Sequence, residues 1–154
     1  MPLRSAVRPP APLSPYGISK VFGEYLGRAW VEETGGSFIA FRIGYFQRGD
    51  NQPGAHMQIG EFGQSMWLSN RDMNQAMEKA IEADVTGFAA LHLVSNNAGS
   101  RWDTSETKRV IGYEPLDSWT PVITDAQREQ DKAARAVRGE PGTWYDEHFH
   151  AIKG

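Results

Sequence analysis

The sequence predicts an α/β fold, a partial parallel sheet dressed with helices and interrupted by a long loop. Three observations predict it. An apolar stripe at helical spacing, Val21, Phe22, Tyr25, Leu26, Ala29 and Trp30, stops at Gly35-Gly36. Two short apolar runs, residues 37–46 and 88–95, have the length and aromatic content of strands buried on both faces. Between and after these runs stand segments with helix-start signals. At 154 residues and 40% hydrophobic content, residues 1–154 are expected to form a single domain around one core.

Taken in order, residues 1–15 hold Pro9, Pro10, Pro12 and Pro15, which favour an extended run over a surface. No long apolar stretch follows Arg4 and Arg8, so neither a signal peptide nor a membrane anchor is expected. Ser14-Pro15 opens the first helix, because serine caps free N–H groups and proline loses nothing at the first helical position. Residues 47–64, glycine-rich and polar without a sustained period, predict a long loop with one short helical turn. Residues 66–68 predict a short strand, and Ser69 and Asp72 stand in capping-box spacing at the start of a helix ending near Asp84. Asp103 is expected to cap a further helix, with Thr107, Val110 and Ile111 inward and Gly112 ending it before Pro115. A charged helix should run from about Asp125 to Arg138, ahead of a polar and aromatic tail. Two parallel strands are a small sheet for such a chain, and the sequence implies more sheet than it supplies.

The formal charge of −3 and the lack of a basic run argue against nucleic-acid binding. With no cysteine, disulfides, thiolate catalysis and cysteine-bound zinc are excluded, and a reducing, cytoplasmic location is expected. His148-Phe149-His150 places two imidazoles on one side of a strand, but with no evident third ligand no metal site is expected. The acidic pairs Glu32-Glu33 and Glu78/Glu82 read as solvated helix faces, and Met57, Met66, Met73 and Met77 as core or loop filling.

The residues that carry chemistry are Tyr16 and Lys20. Four positions apart, they share one face of the first helix. A phenol is a poor base at neutral pH, but a cation held beside it favours the phenolate and makes proton exchange with an alcohol or ketone feasible. Among five tyrosines a Y-x-x-x-K spacing is weak evidence by itself. Its context is specific. The runs S-P-Y-G-I-S-K-V-F-G-E-Y-L and F-R-I-G together resemble the catalytic helix and following strand of extended short-chain dehydrogenase/reductases. Residues 67–72, W-L-S-N-R-D, and residues 107–115, ending I-G-Y-E-P, continue the resemblance, which covers residues 14–119. R-I-G, W-L-S and the late R-W-D are most similar to uronate-dehydrogenase-like members.

The resemblance implies a Rossmann-like parallel sheet, an NAD or NADP cofactor, a sugar or sugar-nucleotide substrate, and an oxidoreductase or epimerase reaction. Tyr16 would be the general acid/base, and Lys20 would bond the nicotinamide ribose. Ile43, Gly44 and Tyr45 would lie beside the nicotinamide. Tyr45, Phe46, Arg48, Trp67 and Ser69 would face the sugar, under a loop formed by residues 46–64. This chain has Tyr45 where uronate dehydrogenases carry a serine, and no arginine clearly aligned with their carboxylate-binding one, with Arg48 the available substitute. The glycine-rich pyrophosphate turn does not precede Tyr16, and Ser5 stands too close to be the family's catalytic serine. The sequence therefore reads as the C-terminal half of such an enzyme, with the dinucleotide-binding half expected to be absent. Two other readings follow: a non-catalytic remnant that forms homo-oligomers or binds a partner through apolar surface, and a hydrolase built on the polar loop and the H-F-H tail.

Overall fold

The computed structural model describes residues 15–57 and 60–138. Seven elements follow in order: α1 (Pro15–Thr34), β1 (Ser37–Ile43), α2 (Gly60–Ser65), α3 (Asn70–Glu82), β2 (Gly87–Leu93), α4 (Ser105–Ile111) and α5 (Asp125–Arg138). The strands pair in parallel, with Ser37 opposite Gly87 and Ile43 opposite Leu93. The expectations for Ser14, the proline run, Ser5 and the His148–His150 tail fall outside the described residues.

Helix α1 starts at Pro15 and ends where Gly35 adopts a left-handed φ of 69°, a conformation that suits glycine. It runs antiparallel to β1 on one face of the sheet. Gly27 is its one buried residue, and a β-carbon there would come within 2.6 Å of the Phe38 ring, so the glycine lets helix and strand approach closely. Higher up, the Arg42 guanidinium donates from Nε and Nη2 to the Glu24 carboxylate at 2.8 Å each, in a mostly buried fork that fixes the two elements in register. Most of the apolar stripe points away from this contact: Phe22, Tyr25, Leu26 and Trp30 are exposed, as is the neighbouring Ile18, while Val21 is partly covered.

The core lies on the opposite face of the sheet. Leu68, Ala76, Leu91, Leu93, Ile111 and Tyr113 form its buried centre, with Ile39, Phe41, Met73 and Val110 packed around it. As expected, Thr107 and Ile111 are buried and Gly112 ends α4 in the left-handed conformation.

Several local expectations change. Residues 66–68 do not form a strand of their own. They make a single parallel bridge, Tyr45 to Trp67, because Met66 N and Trp67 N are taken by the carbonyls of Gly63 and Gln64 at the end of α2, and Ser69 already caps α3. Ser69 caps α3 by accepting from Asp72 N at 2.9 Å, but the reciprocal half of the box is missing. The Asp72 carboxylate instead turns inward to the Ser95 hydroxyl at 2.5 Å and to Leu116 N at 2.6 Å. Asp103 accepts from Ser105 N at 2.9 Å while Thr104 takes the cap position, one residue later than expected.

Candidate functional site

In an open parallel sheet the ligand crevice lies beyond the carboxyl ends of the strands. Here that end is formed by residues 43–46 and 93–97, and α1 delivers its first turn to the same end. From Glu24, which grips Arg42, Lys20 lies about 6 Å and Tyr16 about 12 Å back along the helix. Along β1 from Arg42, Gly44 lies about 7 Å and Phe46 about 13 Å onward. These ideal rises put Lys20 near the height of Gly44 and Tyr16 near that of Phe46.

Tyr16 is 73% exposed, and the Lys20 Nζ lies over its ring, 5.0 Å from the centroid. The ammonium thus rests on the ring face, a cation–π contact. Ile43 and Phe46, each 43% exposed, provide apolar surface at the same end of the sheet. Gly44 donates to the Leu93 carbonyl at 2.9 Å, and Tyr45, half-buried, is held by Tyr45 N to Met66 O at 2.7 Å and Leu68 N to Tyr45 O at 3.0 Å. Arg48 is exposed on the loop.

Trp67 and Ser69 have structural duties. The Trp67 indole is buried and donates to the Asn51 carbonyl at 2.9 Å. The Ser69 hydroxyl, besides capping α3, donates to Asp117 Oδ2 at 2.6 Å, so both of its roles are taken inside the protein. Arg71 completes this cluster, donating from Nη2 to Asp117 Oδ1 at 2.5 Å. The Arg71 hydrogen bond, with a smaller contribution from Ser69, holds the Asp117 carboxyl below its ordinary range. Burial pushes the Tyr113 phenol well above its ordinary value, and its hydroxyl donates to the Val94 carbonyl at 2.9 Å.

Sequence reasoning missed the residues that shape the loop. Asn51 has a left-handed φ of 44°, is buried, and accepts from Gln47 N at 2.9 Å. Its amide donates to the Leu68 carbonyl at 2.8 Å and to Asn70 Oδ1 at 2.9 Å. It thereby fastens residues 47–51 to the segment bridged with Tyr45. The run Gly49-Asp50-Asn51 signals a turn, and asparagine tolerates the left-handed region, but nothing local names Leu68 as its partner. Gln64, fully buried, is the second: its Oε1 accepts from Trp119 Nε1 at 3.0 Å and Val122 N at 2.8 Å. Among the described residues there is no group of three or more potential metal ligands, and no helix long and apolar enough to cross a membrane.

No protein-family model matches the chain. L-arabinose 1-dehydrogenase (NAD(P)(+)) of Haloferax volcanii is 35% identical over 119 residues, 75% of this chain and 47% of the relative. Uronate dehydrogenase of Agrobacterium fabrum is 28% identical over 151 residues, 94% of this chain and 54% of the relative. The crystal structure of uronate dehydrogenase from Agrobacterium tumefaciens superposes with a TM-score of 0.55 at 26% identity, over 81% of this chain and 43% of that one. The glucuronic acid dehydrogenase of Chromohalobacter salexigens gives 0.58 at 27% identity, over 80% and 41%. Over about half of their length the chain is thus similar to NAD(P)-linked sugar dehydrogenases, uronate dehydrogenases among them, which is consistent with a partial extended short-chain dehydrogenase/reductase. Its fold is the Rossmann-like α/β arrangement of these dehydrogenases, and it spans about half the length of the curated relatives it matches.

Proposed function

We propose that this chain performs the proton-transfer part of an NAD(P)-dependent oxidation of a sugar, with Tyr16 as the general acid/base and Lys20 beside it. The observation that carries the reading is the placement of the pair: Lys20 Nζ lies 5.0 Å from the Tyr16 ring centroid, at the carboxyl end of a parallel sheet. The relatives named above act on L-arabinose and uronate, and a mutant of the Agrobacterium tumefaciens enzyme has been solved complexed with NAD.

The residues present fit the nicotinamide end of the cofactor. Ile43 and Phe46 offer exposed apolar surface for a flat ring, and the Lys20 ammonium offers donors for a ribose hydroxyl. The pyrophosphate end needs a glycine-rich strand–turn–helix, which residues 15–138 do not contain. A bound nicotinamide would supply the acceptor for the hydride that leaves the sugar carbon. Tyr16 takes the proton from the hydroxyl on that carbon, and Lys20 offsets the negative charge on the phenol oxygen while the proton moves. Tyr45, Phe46 and Arg48 border the space left for the sugar, and Trp67 and Ser69 support it from behind.

The test is nicotinamide reduction by the full chain at 340 nm, with L-arabinose, glucuronate or glucose 6-phosphate. Tyr16→Phe should lower the rate by about 10²–10⁴. An undiminished rate in that variant, or neither reduction nor NADH binding in the parent, would overturn the reading.

A second reading has its own observation. Phe22 at 62%, Tyr25 at 58% and Leu26 at 54% exposure form one uncovered helix face, which supports self-association through α1.

A further inference from the structure

Helix α1 carries a charge arrangement that its own spacing does not explain. Glu24 stands four residues after Lys20 and four before Arg28, so both cations share its face, one turn away on either side. Among the described residues it pairs with neither. Its carboxylate accepts instead from Arg42 Nε and Nη2, across on β1, at 2.8 Å each. Each helical cation lies on an aromatic ring: the Arg28 guanidinium is 4.0 Å from the Phe88 centroid, and the Lys20 Nζ is 5.0 Å from the Tyr16 centroid. Glu24 is also the only acid of α1 within one turn of Lys20.

The two ring contacts differ in how firmly they are held. The guanidinium of Arg28 is planar, lies closer to its ring, and that ring is itself stacked on Phe38 with centroids 5.9 Å apart. Lys20 carries its charge on a flexible four-carbon stem, over a ring that stands exposed. A carboxylate set free beside these cations would draw Lys20 first. Glu24 without Arg42 would need such a partner, because a mostly buried charge is costly unless it is paired.

We propose that Arg42 is a positioning residue for Lys20 and acts through Glu24. By holding both carboxylate oxygens in its fork, it leaves the Lys20 ammonium on the Tyr16 ring. The consequence for catalysis rests on the reading of Tyr16 as the acid/base, whereas the placement of Lys20 does not.

The experiment is NMR of the ¹³C,¹⁵N-labelled full chain, without cofactor or sugar. It reads the upfield ring-current shift of the Lys20 ε-protons, which Tyr16→Leu should remove. Arg42→Met should lose this shift, and Arg42→Met/Glu24→Gln should regain it, since no carboxylate then remains to draw the lysine. Glu24→Gln alone breaks the same ion pair and should keep the shift. Gly23→Glu supplies an unclaimed carboxylate three residues from Lys20, at an exposed position where an added β-carbon meets nothing within 4 Å, and should lose it. A shift that is missing from the parent, that persists in Arg42→Met or in Gly23→Glu, that is lost in Glu24→Gln, or that is not regained in the double variant overturns the proposal. These outcomes are read apart from nicotinamide reduction, so a failed sugar oxidation overturns the acid/base reading and leaves the placement of Lys20 by Arg42 standing.

Discussion

A β-carbon added at Gly44 would lie 2.1 Å from the Met66 carbonyl oxygen and 2.6 Å from Val94 Cγ1. One added at Gly27 would meet the Phe38 ring at 2.6 Å. The two clashes differ in what must yield. At Gly44 it is the backbone that bridges Tyr45 to Trp67, whereas at Gly27 a ring on a flexible side chain can turn. Gly44→Ala should destabilise the fold by about 1–3 kcal/mol and Gly27→Ala by less, measured by denaturant midpoint. Gly44 stands in the R-I-G run, but its packing role was not legible there, since Met66 and Val94 are remote in sequence. Ser69 shows the same limit. Its cap role was readable from local spacing, whereas its second bond, to Asp117, depends on a segment 48 residues away.

Helix α1 was read with accurate ends because its signals are local: Pro15 at the start and Gly35 at the exit. Which face it buries was less readable. The apolar stripe suggested a packed face, yet the sheet takes up the side with Glu24 and Gly27, since the Arg42 fork and the close Phe38 contact both need that side. Breaking the fork with Glu24→Gln should destabilise by about 1–3 kcal/mol, because it leaves a mostly buried guanidinium with a weaker partner. The loop depends on Asn51 in the same manner. Asn51→Gly keeps the left-handed backbone and loses three side-chain bonds, so hydrogen exchange should quicken at Gln47; an unchanged rate there would deny Asn51 its fastening role. The start of α3 carries a pH dependence. Asp117 is depressed by Arg71, so its contribution is fully present above the ordinary carboxylate range and is lost as pH falls through the lowered folded value. Arg71→Ala should flatten acid unfolding in that window, as seen by circular dichroism.

At the scale of the molecule, the described residues set two parallel strands between a core on one face and α1 on the other, and leave much apolar surface uncovered among themselves. If α1 self-associates, sedimentation should show a dimer that Phe22→Glu or Leu26→Glu converts to monomer, while a monomeric parent would exclude that route. The spacing of Tyr16 and Lys20 was legible in the sequence, and the structure adds that the Lys20 Nζ lies 5.0 Å from the Tyr16 ring centroid. The most direct test of the account is NMR mapping of the ¹⁵N-labelled chain titrated with NAD⁺. Shifts concentrated at Lys20, Ile43, Gly44 and Tyr45, and weakened in Lys20→Ala, are the predicted result. The absence of shifts at these residues at saturating NAD⁺ would contradict it.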